Sequence, residues 1–150
     1  MISVDLSQLR TAEHLAVEAD LARWAEIMAE RERRMVADFI WQGLAFQMDP
    51  RSLQFVERAQ GNAMAAIFAG AQAGDLRWHG QNGDFAWIAR DNSSVPMDAQ
   101  TVLAFTTAAI AREGALVLAA RAIKDLDPAP PDVTDDGLWD AVLAAGSLAA

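Results

Sequence analysis

Between Leu6 and Met35 the chain carries neither glycine nor proline and is rich in alanine, leucine, glutamate and arginine. These are strong helix formers, so one long helix is predicted, and any fold must find a place for it. Val17, Leu21, Trp24, Met28 and Met35 recur at intervals of three, four and seven, with His14 and Arg31 at the polar positions of the same seam. The stripe is heptad-like over about three heptads and serves equally an amphipathic helix on a core or a coiled coil. Its end, Arg31-Glu32-Arg33-Arg34, puts cations where the helix dipole favours them.

Beyond this helix the punctuation becomes dense. Ala37 to Met48 reads as two short aromatic-rich strands around Gln42-Gly43, a hairpin signature. Asp49-Pro50 is a helix start, a cap acceptor followed by the ring that suits the first turn, and a second helix is predicted over 50–71 along Leu53, Val56, Ala63 and Ile67. The glycine-rich stretch 74–92 ends in Phe85-Ala86-Trp87-Ile88-Ala89, a strand pattern, and Asp91-Asn92-Ser93-Ser94 is a turn leading to a return strand through Val95 and Met97. One antiparallel meander is expected from hairpin 37–48 and strands within 85–97. Asp98 caps a third helix over 98–126, with Val102, Phe105, Ala109, Leu116, Ala120 and Ile123 on one side and Leu103, Ile110 and Val117 on another. A helix so apolar all round is predicted to be buried on most sides.

Pro128, Pro130 and Pro131 lie among aspartates, so 127–134 reads as an acidic, extended linker. Past it Leu138, Trp139, Val142, Leu143 and Leu148 follow helical spacing behind Asp135 and Asp136, predicting a short amphipathic helix over 135–150 that docks on its own body or on a partner. The expected class is α+β, mostly helical: an N-terminal helix (1–36) suited to oligomerisation, an α+β domain (37–126), the linker and the last helix.

Charge and missing residue types narrow function. The 150 residues hold 21 acidic against 12 basic groups, a net −9, and six aspartates within 125–150 account for two thirds of it. That balance argues against nucleic acid, which needs clustered Lys and Arg. With no cysteine, disulfides, thiolate metal sites and cysteine nucleophiles are excluded. Neither a leader nor a stretch near the ~18 uncharged apolar residues of a membrane span is read, so a soluble chain is expected.

Chemical motifs are sparse. His79, Asp84, Ser93 and Ser94 can be written as a nucleophile-base trio, but no Gly-x-Ser-x-Gly elbow accompanies them. His14 with Glu13 and Glu18 lacks a metal-ligand spacing, and Asp132, Asp135 and Asp136 lack the calcium-loop pattern. No catalytic residue, cofactor or metal is therefore expected, and the chain reads as a non-enzyme. Trp78, His79, Gln81, Asn82, Asp84 and Trp87 combine aromatic faces with amides and a carboxylate, as sugar recognition requires. Trp78, His79 and Asn82 are the candidate ligand contacts, with core packing as the competing use of the rings.

Gly74-Asp75-Leu76-Arg77-Trp78, Phe85 to Asn92, Val95-Pro96-Met97-Asp98-Ala99 and Ala119 to Asp125, together with the Arg31–Asp49 region, occur in an order that resembles a family of domains of unknown function found in bacteriophage tail proteins. The resemblance spans about residues 31–140. It implies a structural role in a tail, baseplate or fibre, within the virion after assembly in the bacterial cytoplasm, with other tail proteins as partners and no catalytic residues to transfer. A connector or adaptor is the first expectation; a host-surface glycan-binding module and a fibre-assembly chaperone are the alternatives. A homo-oligomer, such as a trimer, would use Val17, Leu21, Trp24 and Met28 as its seam, and Leu138 and Trp139 would dock the last helix on a neighbour.

Overall fold

A computed structural model of the chain describes residues 11–148. The elements run α1 (Ala12–Met35), β1 (Phe39–Trp41), β2 (Leu44–Phe46), α2 (Pro50–Phe68), β3 (Ala86–Ile88), β4 (Ser94–Pro96), α3 (Ala99–Lys124) and α4 (Asp136–Leu148), a mostly helical α+β chain. The predicted start of the first helix at Leu6 lies outside the described residues.

Short-range hydrogen bonds and turn geometry set the ends of these elements. Asp49 caps α2 by accepting the amides of Arg51 and Ser52 at 3.0 and 3.2 Å, and Asp98 caps α3 by accepting the Thr101 amide at 2.7 Å. Asp135 does the same for α4 through Leu138, at 2.8 Å. The β1–β2 turn puts Gln42 at φ 49° and Gly43 at φ 81°, the left-handed pair that a two-residue hairpin of the strands' own twist requires. α2 ends at Phe68 rather than near residue 71, because Gly70 at φ 100° turns the chain out of the helix.

The expected single meander is corrected. The strands form two separate two-stranded ladders, β1–β2 in the register Phe39↔Phe46 and β3–β4 in the register Trp87↔Val95. One backbone bond, from the Arg90 amide to the Ala45 carbonyl at 2.8 Å, links the two hairpins. Each strand is three residues long.

The chain divides into two compact units. Glu32–Val117 is one; the described residues up to Arg31 and from Leu118 make up the other. These boundaries fall inside α1 and α3.

In the 32–117 unit, both hairpins and α2 pack with α3 around Phe105. Its ring lies 4.9 Å from Phe46, 4.7 Å from Trp87, 5.6 Å from Phe39 and 5.9 Å from Trp41. Val102, Phe105 and Ala109 are buried as their spacing predicts, and Thr106 joins them by turning its hydroxyl back to the Val102 carbonyl at 2.8 Å. Arg112 in mid α3 reaches the end of α1: its guanidinium donates to the carbonyls of Arg34 (2.6 Å), Ala37 (3.1 Å) and Met35 (3.3 Å). Those oxygens belong to the last turn and exit of a helix, where intrahelical donors run out.

In the other unit, Ile27, Ile123, Val133 and Trp139 are buried, and the Lys124 ammonium sits 4.6 Å from the centroid of the Trp24 ring. Trp139 donates its indole N–H to the Val133 carbonyl at 2.8 Å. The 127–134 segment thus contains a buried side chain and an anchored carbonyl, and is more than a solvated tether.

α3 is long and apolar enough to cross a bilayer by length and composition, with Arg112 and Glu113 as the charges near its middle. A core helix passes the same test.

Candidate functional site

Two features stand out: a cavity in the 32–117 unit and an uncovered apolar stripe on α1.

The cavity, about 360 Å³, is lined by Phe55, Arg58, Ala59 and Asn62 of α2 and by Trp78, His79, Gln81 and Phe85 of the 69–85 loop. The α2 residues recur at i, i+3, i+4 and i+7, so they share one helix face. The loop is pinned at several points. The Gly74 amide, at φ 86°, donates to the Asp98 carboxylate at 2.7 Å, and the Phe85 amide donates to the Leu76 carbonyl at 2.7 Å. Arg77 pairs with Asp84 at 3.2 Å. Hydrogen bonds from the Thr101 side chain, then from the Gly74 and Thr101 amides, hold the Asp98 carboxyl below its ordinary value.

Aromatic packing shapes the loop side of the cavity. Trp78 lies 5.0 Å from Phe85 and 5.7 Å from His79, edge to face with the latter, while its indole N–H donates to the Met97 carbonyl at 3.1 Å. His79 Nε2 lies 3.1 Å from the Gly83 carbonyl. A carbonyl only accepts, so Nε2 carries a proton and Nδ1 is the acceptor of the neutral ring. Among the described residues the side chains of Arg58, Asn62 and Gln81 make no hydrogen bond or ion pair.

Trp78 and His79 line the cavity together, as their pairing in the sequence suggested; Asn82 does not. Asp84 is committed to Arg77, and Trp87 faces the core, 4.7 Å from Phe105. The α2 contribution was missed, although Phe55, an aromatic beside the Val56 core position at helical spacing from Arg58 and Asn62, is a readable signal. The nucleophile-base trio is not assembled: His79 bonds Gly83, Asp84 pairs with Arg77, and the Ser93 hydroxyl donates to Asp91 at 2.6 Å. Among the described residues no cluster of three His, Asp or Glu side chains is placed to hold a metal ion.

The expected interface residues separate into two groups. Val17 and Leu21 are 54% and 64% exposed, with Leu15 exposed beside them, while Trp24, Met28 and Leu138 are half-buried. Trp139, at 0% exposure, is enclosed by its own chain and drops out as a docking residue. The face α1 does bury centres on Ile27 and Glu30. At about 100° per residue, the Val17–Leu21–Trp24–Met28 stripe lies roughly 120° around the helix from that face.

A family model described as a domain of unknown function, DUF4376, matches residues 18–142. The chain belongs to this family. The DUF4376 match takes in both hairpins, α2, α3 and every residue of the cavity, and it begins within α1 between Val17 and Leu21. No curated protein and no solved structure matches the chain significantly.

Proposed function

We propose that this DUF4376 chain is a non-enzymatic component of a bacteriophage tail, a connector or adaptor that works by binding baseplate or fibre proteins and further copies of itself. The observation that carries the reading is the exposed Val17–Leu21 stripe on a face of α1 distinct from the one its own fold buries. An apolar stripe left exposed on a helix that buries Ile27 and Glu30 elsewhere suits another chain. The strings at 74–78, 85–92, 95–99 and 119–125, with their likeness to phage tail domains, supply the setting.

Two measurements test it. Sedimentation of the full chain over a range of concentrations is expected to show a self-associating species that the double substitution Val17→Glu, Leu21→Glu converts to monomer with unchanged helix content. Mass spectrometry of purified virions is expected to find the chain. A parent chain that is monomeric throughout, alone and with tail proteins, refutes the interface; absence from the finished particle turns the reading to an assembly chaperone.

A second reading is supported by the cavity, which brings aromatic faces and uncommitted amides together: a module that binds a host-surface glycan. A glycan array with Trp78→Phe and Asn62→Ala as controls tests it.

A further inference from the structure

Resting on the glycan reading, we propose that the cavity between α2 and the 69–85 loop accepts a carboxylated sugar, one terminal acidic ring whose carboxylate is held by Arg58. Charge is the first argument. In a chain with 21 acidic and 12 basic residues, the lining contains an arginine and a histidine and no carboxylate. The acidic residue of the same loop nearest the cavity-lining Phe85, Asp84, is already paired with Arg77. No partner among the described residues occupies the Arg58 guanidinium, whose fork of donors matches a carboxylate bidentately.

The remaining groups favour a sugar over a flat acid. Asn62, Gln81 and the Nδ1 of His79 each offer donor or acceptor capacity that no described residue uses, and ring hydroxyls, which both donate and accept, match that set. An aromatic acid would fill the same space without meeting those donors and acceptors, which a sugar's hydroxyls engage. Phe55, Trp78 and Phe85 supply the apolar surface against which the C–H face of a sugar packs. About 360 Å³ stands at the low end of the ~300–1,000 Å³ range of small-ligand pockets, which suits a terminal ring rather than a polymer laid along a groove.

The experiment is titration of the full chain by ligand-observed NMR with methyl glucuronide and with N-acetylneuraminate, using methyl glucoside as the uncharged counterpart and benzoate as the flat acid, up to about 10 mM, the reach of weak single-site binding. At least one acidic sugar is expected to bind about tenfold or more tightly than the glucoside. Arg58→Gln, an exposed substitution by another good helix former, is expected to remove that advantage, and Asn62→Ala to weaken binding with the charge preference intact. Equal binding of acidic and neutral sugars, or no effect of Arg58→Gln, overturns the acidic assignment while the glycan reading stands. Benzoate binding as tightly as the sugars overturns the sugar assignment, and no binding of any sugar overturns both.

Discussion

Arg112 offers the sharpest test of how the 32–117 unit is held together. Replacing it with methionine keeps the length and apolar stem but deletes three donors from the carbonyls of Arg34, Met35 and Ala37. A hydrogen bond from a charged group contributes about 1.5–3 kcal/mol net when its acceptor is left dry. Arg34 and Met35 are half-buried and Ala37 is exposed, so water replaces part of what is lost. Between one and two full bonds' worth, about 2–4 kcal/mol, is the resulting cost. Against it stands the relief of a half-buried guanidinium, whose desolvation already pulls the Arg112 pKa below its ordinary value. The net expectation is a loss of about 2–3 kcal/mol, or a melting temperature lower by about 4–12 °C for a chain of this length. Urea denaturation monitored by tryptophan fluorescence gives the free energy, and hydrogen exchange at the end of α1 reports the local effect. Arg112→Lys, which can reach one carbonyl but cannot fork, is expected to fall between the two. A methionine variant within about 0.5 kcal/mol of the parent, the range of ordinary surface changes, would show that the fork is not what fixes the end of α1.

Three further outcomes follow from the same contacts. Asp98→Ala removes an N-cap and the anchor of the Gly74 amide together, so a loss of about 1–2 kcal/mol in chemical denaturation is expected. Because folding lowers the Asp98 pKa, its contribution is complete above the unfolded value of about 4 and disappears as pH falls through the lower folded value. Asp98→Asn is accordingly expected to give a shallower acid limb below about pH 4. Trp139→Phe leaves the buried Val133 carbonyl without its donor and is expected to cost about 1–3 kcal/mol, with Trp139→Ala near 3–5 kcal/mol, both read by thermal melting.

Local chemistry made most of the fold legible. Asp49-Pro50, Asp98, Asp135 and Gln42-Gly43 each specify a cap or a turn through groups only a few residues apart, and each is found where it was read. What failed depends on distant partners. Three-residue strands do not encode which edge they pair with, so two hairpins were read as one sheet. The α1 stripe was visible, but a run of apolar residues at heptad spacing does not say which chain covers it. The helix instead buries Ile27 and Glu30, a face with a carboxylate in it. The cavity was half legible: Trp78 and His79 are neighbours in sequence, while Arg58 and Asn62 reach them only through the packing of α2 against the loop.

The Arg112 fork also bears on how α3 is handled before the fold is complete. By length and composition alone α3 could span a bilayer, as many core helices could, and a charge near its centre adds about 2.5–3.5 kcal/mol against that route. Arg112 and Glu113 stand side by side at that centre. Until the carbonyls at the end of α1 accept the guanidinium, the pair disfavours the bilayer; afterwards, the same cation closes the helix end inside the folded unit. Exchanging both for leucine is expected to lower the cost of placing α3 in a bilayer, so the residue that secures the folded unit is also one that sets this helix apart from a membrane span.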